Sequence, residues 1–254
     1  MQRRIEAVLL DLSGVLYIGD EAVPGAHETI AALRNAAIPF RLITNTTRST
    51  RRQIAAKLER LGFDLPEAWI FTPPMAVRKH LQRQRLRPHL LIHPALLEEF
   101  NDIDTTAPDT VVVGDAGEYF NYDRLNAAFR VLQQNAHFLA MGDNRYFRET
   151  DGLSLDIGPF VKALEYASGK TATIIGKPAR AFFLEAVDDL GYAPGEVLMV
   201  GDDAQADVGG ALRAGLQAAL VKTGKYRAGD EETIGIDGWQ QIDSIAQLPA
   251  LLGL

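Results

Sequence analysis

Residues 7–17 read AVLLDLSGVLY, in which four apolar residues are followed at once by Asp11 and, two positions later, by Ser13. An apolar run this short, ending at a polar residue, is typical of a buried strand in a parallel sheet. Ligands of open parallel sheets bind just beyond the carboxyl ends of the strands. The stretch therefore predicts a fold class and also the place where functional residues should be sought.

Helix and strand patterns alternate after this run and again near the end of the chain. The predicted elements are a helix over Pro24–Ala37, a strand over Phe40–Ile43, a helix over Thr50–Leu61, a strand over Thr173–Ile175, a helix over Ala179–Leu190, a strand over Val197–Val200, a helix over Val208–Ala214 and a strand over Gln217–Val221. This alternation predicts an α/β fold with a Rossmann-like parallel-sheet core covered by helices.

The middle of the chain carries its own set of elements between two breaks, Thr72–Pro74 and Ser168–Thr171. Its predicted strands are Leu90–His93, Thr110–Val113 and Phe138–Met141, with a helix over Asp123–Gln134. One core domain built from both ends of the chain, with an insertion between them, explains this order best. We therefore expect a core formed by residues 1–72 and 174–254 and an inserted α/β domain at residues 73–173.

Composition excludes several classes of function. Hydrophobic residues make up 47% of the 254 residues and charged residues 23%, which is ordinary for a globular protein. A formal net charge of −7 gives no electrostatic support for a nucleic-acid or membrane partner. The lack of cysteine excludes disulfides, thiolate metal sites and cysteine nucleophiles. Since no apolar stretch approaches the roughly 18 residues of a spanning helix, we expect a soluble, cytoplasmic protein.

Polar side chains follow the predicted strands of the core at four places. These residues are Asp11 with Ser13, Thr44 with Asn45, Lys177, and Asp202 with Asp203. If the strands are adjacent and parallel, all of them meet at one edge of the sheet. Carboxylates are hard oxygen ligands for Mg²⁺, a lysine together with Mg²⁺ offsets the charge of a phosphoryl group, and an aspartate can act as a nucleophile.

Each of these positions also has an ordinary structural interpretation when taken alone. Asp11 could be only a helix N-cap, Ser13 part of a turn, and the segment from Thr44 a capping segment. Lys177 could be a solvated loop residue, and the Asp202–Asp203 pair a turn. Their joint occurrence after successive strands favours a phosphoryl-transfer site over this set of separate explanations.

Four motifs in this order resemble those of the haloacid-dehalogenase-like phosphatases. They are Asp11–Tyr17, Ile43–Asn45, Gly176–Pro178 and Val200–Asp203, the last followed by Asp207. The insertion between the second and third motifs resembles the cap domain of the subclass with a large α/β cap (class IIA). Within that subclass the chain is similar to the phospholysine phosphohistidine inorganic pyrophosphate phosphatases, on the stretches Leu86–His93, Asp115–Glu118, Arg145–Phe147 and Gly158–Ala167.

The resemblance implies a role for each residue around the metal. Asp11 would be the nucleophile and a ligand of Mg²⁺, and Asp202 would bind Mg²⁺ directly. Ser13 would take the next metal position through its backbone carbonyl. Asp203 and Asp207 would support these ligands from behind, through further contacts or a water molecule.

The resemblance also implies how the substrate is held. Thr44 and Asn45 would bind the phosphoryl oxygens, and Lys177 would pair with both the phosphoryl group and the carboxylate of Asp11. The substrate would be a small phosphorylated molecule or a phosphoprotein. Because relatives of this class tend to be dimers, a homodimer is expected.

One departure from the wider superfamily concerns Ser13. Phosphatases of the superfamily usually have a second aspartate at this position, which protonates the leaving group and then activates water. Serine does neither well near neutral pH, so we expect a preference for activated donors such as inorganic pyrophosphate, phosphohistidine or phospholysine. Two alternatives remain open: a phosphatase of small-metabolite phosphomonoesters, and a catalytically weak phosphate-binding regulatory protein.

Overall fold

The computed structural model describes residues 4–148 and 152–254, so residues 1–3 and 149–151 of the expected domains lie outside the described part. The contacts of the chain divide it into two units. The first unit contains the described residues up to Thr44, together with Arg51–Phe71 and Lys177–Leu254. The second unit contains Asn45–Thr50 and Thr72–Gly176.

The strands, in chain order, are β1 (Ala7–Asp11), β2 (Tyr17–Ile18), β3 (Glu21–Ala22), β4 (Phe40–Ile43), β5 (Ile70–Phe71), β6 (Pro88–Leu91), β7 (Thr110–Val113), β8 (His137–Ala140), β9 (Tyr146–Arg148), β10 (Leu153–Leu155), β11 (Thr173–Ile174), β12 (Val197–Gly201), β13 (Gln217–Val221) and β14 (Gln240–Ile242). The α-helices are α1 (Ala26–Asn35), α2 (Arg51–Arg60), α3 (Pro73–Gln84), α4 (Tyr122–Leu132), α5 (Ile157–Ser168), α6 (Arg180–Asp188), α7 (Gly210–Ala214) and α8 (Leu248–Leu252). A π-helix, Ala204–Gly209, precedes α7 directly.

The first unit is built on a six-stranded sheet in the order β14-β13-β12-β1-β4-β5, and every neighbouring pair in it is parallel. All residues of the central strands β1 and β12 are buried, as in a sheet covered on both faces. Helix α1 buries Ala26, Thr29, Ile30 and Leu33, the spacing of one apolar helical face. Each fully buried leucine or valine contributes about 1.5–3 kcal/mol through burial. The predicted α/β class is confirmed.

The second unit has its own four-stranded parallel sheet, in the order β11-β8-β7-β6, and a separate antiparallel hairpin of β9 and β10. Helix α5 begins at Asp156, whose side chain accepts a hydrogen bond from the amide of Ile157 at 2.7 Å. The helix buries Ile157, Val161 and Leu164 along one face. A complete α/β layer therefore forms within the insertion.

The boundaries of the units differ from the expected ones at three places. Strand β11, expected in the core, pairs with β8 in the second sheet, and residues 174–176 therefore group with the second unit. Thr72 also groups there because its side chain caps α3. The segment Asn45–Thr50 follows because the Thr47 hydroxyl accepts a hydrogen bond from the amide of Asp115 at 3.3 Å.

Strand register in the first unit determines which residues reach the same edge of the sheet. Asp11 pairs with Ile43, Leu10 with Val200, and Gly201 with Leu220. The residues that follow β1, β4, β12 and β13 consequently meet at the carboxyl edge. No described helix is both long and apolar enough to cross a membrane.

Candidate active site

Four charged side chains meet at the carboxyl edge of the first sheet, and all of them are buried. Asp11 is the last residue of β1, and Asp202 comes directly after β12. Asp11, Asp202, Asp207 and Lys177 are only 6%, 2%, 1% and 4% exposed. Charged residues are almost never buried to this degree without partners. This group, called the acidic cluster below, is therefore held by specific contacts.

Lys177 joins two of the carboxylates. Its Nζ atom lies 2.5 Å from Oδ1 of Asp11 and 2.6 Å from Oδ1 of Asp207. Burial opposes the charged form of the amine, but the negative charges of Asp11 and Asp207 outweigh it and raise the pKa of Lys177 above its ordinary value. The lysine is therefore a cation at all physiological pH values, and it fixes the position of an oxygen of Asp11.

Asp207 reaches the cluster from the π-helix. The Asp203 side chain caps this helix by accepting hydrogen bonds from the amides of Gln205 and Ala206 at 3.1 and 2.8 Å. The amide of Asp203 in turn donates to Oδ2 of Asp207 at 3.2 Å. A side chain at position 201 would collide with Asp207, so Gly201 is required for this close approach.

Asp202 is held through one of its carboxylate oxygens. Its Oδ2 atom accepts a hydrogen bond from the amide of Lys225 at 2.6 Å. Burial, together with the charges of Asp11 and Asp207, raises the pKa of Asp202 to about 7. Gly14, with φ of +89°, packs so closely that a Cβ atom there would overlap Oδ2 of Asp202.

The acidic cluster fits a divalent cation such as Mg²⁺. Asp11, Asp202 and Asp207 each offer a carboxylate oxygen, and these oxygens lie within 4.8 Å of one another. Within residues 4–148 and 152–254, no hydrogen-bond donor reaches Oδ2 of Asp11 or Oδ1 of Asp202, whereas both oxygens of Asp207 accept hydrogen bonds. Three carboxylates face one ammonium group, so negative charge is in excess, and hard oxygen donors are what Mg²⁺ prefers.

The remaining predicted site residues are divided between the two units. Thr44 lies in the first unit, buried, directly beyond the β4 residue that pairs with Asp11. The next residue, Asn45, groups with the second unit. Ser13 is exposed and forms a backbone bridge with Tyr17. The geometry therefore brings Asp11, Lys177, Asp202 and Asp207 together, with Asp203 behind them.

Sequence reasoning missed the segment after β13. The hydroxyl of Thr223 donates to the carbonyl of Gly14, and the amide of Lys225 donates to Asp202. The backbone of Gly224, between them, lies close to both Gly14 and Asp202. The signal was available, because these residues also follow an apolar strand of the core, Gln217–Val221.

Comparison with known proteins gives a consistent set of relatives. Residues 8–106 match a family model described as haloacid dehalogenase-like hydrolase, and residues 174–248 match a related hydrolase model. The chain is 48% identical to haloacid dehalogenase-like hydrolase domain-containing protein 2 of Homo sapiens over 232 residues, covering 91% of this chain and 90% of the relative. It is 42% identical to phospholysine phosphohistidine inorganic pyrophosphate phosphatase of Bos taurus over 254 residues, covering 98% and 94%.

Two solved structures have the same fold as this chain over nearly all of its length. A 4-nitrophenylphosphatase of Thermotoga maritima superimposes with a TM-score of 0.90 at 26% identity and covers 97% of each chain. NagD of E. coli K-12 gives a TM-score of 0.88 at 26% identity, covering 96% of this chain and 98% of that one. Both similarities extend over the two units.

Proposed function

The chain belongs to the haloacid dehalogenase-like hydrolases and is a phosphatase of that family, and from this premise we propose that it hydrolyses activated phosphoryl donors. The proposed substrates are inorganic pyrophosphate, phosphohistidine and phospholysine, and the proposed intermediate is an aspartyl-phosphate at Asp11. One observation carries the proposal. The buried ammonium of Lys177 touches the carboxylates of Asp11 and Asp207, in a cluster of three carboxylates that retains excess negative charge.

The proposed reaction has two steps. In the first, an oxygen of the Asp11 carboxylate attacks phosphorus, and the bond from phosphorus to the leaving group breaks with its electron pair passing to that group. Pyrophosphate then yields one phosphate ion and one acyl phosphate on Asp11. In the second step, water attacks the same phosphorus, the bond to the Asp11 oxygen breaks, and the carboxylate returns as a proton leaves with the products.

Lys177 has a defined part in both steps. Because its Nζ atom contacts Oδ1 of Asp11 at 2.5 Å, it holds the carboxylate in one orientation and leaves Oδ2 to attack. Its charge stabilises the negative oxygens of the phosphoryl group, a role that Thr44 and Asn45 are proposed to share through hydrogen bonds. Asp11 and Asp202, with the backbone carbonyl of Ser13, are proposed to hold Mg²⁺, which would neutralise charge on the phosphoryl group.

Ser13 is the basis for the proposed choice of substrate. An alkoxide leaving group is nearly as basic as hydroxide, whose parent water has a pKa of about 15.7, and it needs an acid to protonate it. A phosphate leaving group, whose second pKa is about 6, departs with little help. Phosphoramidates transfer their phosphoryl group readily once nitrogen is protonated. A site with serine in place of the usual acid is therefore best suited to activated donors, in keeping with the pyrophosphate phosphatase relative.

The second unit is proposed to act as the cap that selects substrates. This assignment follows the expected division at residues 73–173, with the adjusted boundaries found in the fold. The expected homodimer and cytoplasmic location stay predictions.

A second candidate is a phosphatase of small phosphomonoesters. The 4-nitrophenylphosphatase of Thermotoga maritima favours it, because that relative is named for a phosphomonoester. The two candidates differ in how much their rate depends on the basicity of the leaving group. Only the activated-donor proposal predicts a steep fall from pyrophosphate to a sugar phosphate.

The test is phosphate release from pyrophosphate, imidazole phosphate and a sugar phosphate, each measured with Mg²⁺ and with chelator. The matched variants are Asp11→Asn, which keeps the size of the side chain, and Asp143→Asn, an exposed aspartate of the second unit. We expect Mg²⁺-dependent release that Asp11→Asn lowers at least about 10³-fold, the order found for lost nucleophiles. Asp143→Asn should retain the wild-type rate.

Three other outcomes would count against the proposed function. Equal turnover of the sugar phosphate and pyrophosphate would support the phosphomonoesterase. Release that persists in Asp11→Asn would exclude the aspartyl-phosphate. Tight binding of phosphate by the folded, Mg²⁺-loaded protein without any release would favour the regulatory binding protein.

A further inference from the structure

The loop after β13 ties together two loops that carry the acidic cluster. Strands β12 and β13 are parallel neighbours with Gly201 opposite Leu220. Asp202 is therefore level with Val221, the last residue of β13, and the residues that follow β13 lie just beyond it. This loop, Lys222–Tyr226, is called the β13 loop below.

One end of the β13 loop contacts the loop that follows Asp11. The hydroxyl of Thr223 donates a hydrogen bond to the backbone carbonyl of Gly14 at 2.5 Å. The amide of Gly14 donates to the carbonyl of Tyr17 at 2.7 Å, so both polar groups of its backbone are fixed. The segment between Asp11 and Gly14 is therefore held at its far end by a side chain from the β13 loop.

The other end of the β13 loop holds Asp202. The amide of Lys225 donates to Oδ2 of Asp202 at 2.6 Å, while the Lys225 ammonium lies 3.8 Å from Oδ2 of Asp203. Gly224, with φ of +64°, lies so close that a Cβ atom there would overlap both Oδ2 of Asp202 and the Cα atom of Gly14. The loop thus fixes one oxygen of Asp202 and leaves Oδ1 for another partner.

We propose that Thr223 is a positioning residue for the divalent cation, because its hydroxyl sets the loop of Asp11 and Gly14 at a fixed distance from Asp202. The inference rests on the proposed function, since it assumes that Asp11 and Asp202 bind the cation together. Two carboxylates from different strands bind one ion tightly only when their separation is set beforehand. Thr223 touches neither carboxylate and acts through the Gly14 carbonyl.

The test uses Thr223→Val, which removes the hydroxyl and keeps the branched shape, and Thr223→Ser, which keeps the hydroxyl. Thr233→Val is the matched control, because Thr233 also donates its hydroxyl to a backbone carbonyl, that of Asp230 at 2.6 Å, at an exposed position. Two readouts are measured on the purified full chain. One is the Mg²⁺ concentration for half-maximal rise in melting temperature without substrate, and the other is the Mg²⁺ concentration for half-maximal phosphate release from pyrophosphate.

We expect Thr223→Val to raise both Mg²⁺ midpoints roughly tenfold, as loss of an outer contact at a metal site does. Thr223→Ser and Thr233→Val should stay within about twofold of wild type, and the melting temperature without metal should change little in all three because Thr223 is only half-buried. Midpoints of Thr223→Val that match wild type would overturn the proposal. Equal impairment in Thr223→Ser would also overturn it, because the methyl group would then be responsible.

Failure of this inference can be told from failure of the proposed function. Asp202→Asn supplies the reference, since it removes a proposed ligand. If wild type responds to Mg²⁺ and Asp202→Asn does not, while Thr223→Val behaves as wild type, only the role of Thr223 fails. If wild type itself shows no Mg²⁺-dependent stabilisation, the cation site of the proposed function fails and the inference falls with it.

Discussion

Two ion-paired clusters, one in each unit, differ in how deeply their cation is buried, 38% exposed for Arg48 and 4% for Lys177. In the second unit, Arg48 contacts the carboxylate of Asp115 through Nε at 2.5 Å and Nη2 at 3.1 Å, and its guanidinium lies 4.8 Å from the ring centre of Phe147. In the first unit, the ammonium of Lys177 contacts two of the three buried carboxylates that meet there. The first contact has an arginine that is 38% exposed and anchors a loop, whereas the second surrounds a buried lysine and leaves negative charge that a cation can balance.

The difference shows that burial or an ion pair alone does not identify a catalytic site. Buried charges are stable only when they are paired, and unpaired charge is expensive to keep in a protein interior. Three carboxylates gathered around one buried ammonium at the end of parallel strands distinguish the acidic cluster from the Arg48–Asp115 contact.

The largest expected effect comes from removing the cation of each cluster. Lys177→Met should lower the free energy of unfolding by about 3–5 kcal/mol and abolish phosphate release, because it leaves Asp11 and Asp207 buried without their partner. Arg48→Met should cost about 1 kcal/mol, since that side chain is 38% exposed and Asp115 keeps its hydrogen bond from the amide of Gly117. Urea unfolding with Mg²⁺ absent measures both. Equal losses in the two variants would remove the distinction between the clusters.

The next largest effect expected is the pH dependence of the stability of the metal-free protein. The pKa of Asp202 is raised to about 7, above its ordinary value near 4, so between these values the folded protein holds a proton that the unfolded chain has lost. The stability of the metal-free protein should therefore fall as pH rises through this window, by up to about 4 kcal/mol for Asp202. Asp207, whose pKa is also raised, to about 6, acts in the same direction.

Asp202→Asn is the control for this prediction. Its neutral amide should flatten the fall in melting temperature between pH 5 and pH 8, and added Mg²⁺ should restore stability at pH 8 only in wild type. The prediction is contradicted if wild type and Asp202→Asn lose the same stability over this range without metal.

The smallest effect is expected at Asp203, which contacts the cluster from behind. Asp203→Ala removes the cap of the π-helix and should cost about 0.5–2 kcal/mol. Phosphate release should fall less than tenfold, because the amide of residue 203 can still donate to Asp207. Chemical unfolding and steady-state release are the measurements. A loss of activity as large as that of Lys177→Met would mean that Asp203 belongs to the reacting centre.

Much of the fold follows from short apolar runs in the sequence. The strands Phe40–Ile43, Thr110–Val113 and Gln217–Val221 were predicted with the bounds that they have in the structure. Helix α3 was missed because Thr72-Pro73-Pro74 was interpreted only as a break, whereas Thr72 is an N-cap and the prolines begin the helix. The sheet to which the two-residue strand β11 belongs depends on tertiary pairing, which local pattern does not contain.

The part of the candidate site that depends on the pairing of parallel strands could be predicted from the sequence. Asp11 and Asp202 follow neighbouring strands, so their meeting follows from the topology. The bond of Lys177 to both Asp11 and Asp207 does not follow, because β11, the strand before the lysine, lies in the other sheet. The contact of Asp207 depends on a π-helix whose extra residue per turn has no clear sequence signature.

The most direct test of the account is to look for the covalent intermediate on Asp11. Wild-type protein mixed with pyrophosphate and Mg²⁺ is quenched in acid within one turnover, digested, and analysed by mass spectrometry. The account predicts that the peptide containing Asp11 gains the mass of one phosphoryl group, and that Asp11→Asn shows no such gain. A phosphoryl mass gain on another residue would contradict the account. Phosphate release by Asp11→Asn at the wild-type rate would also contradict it.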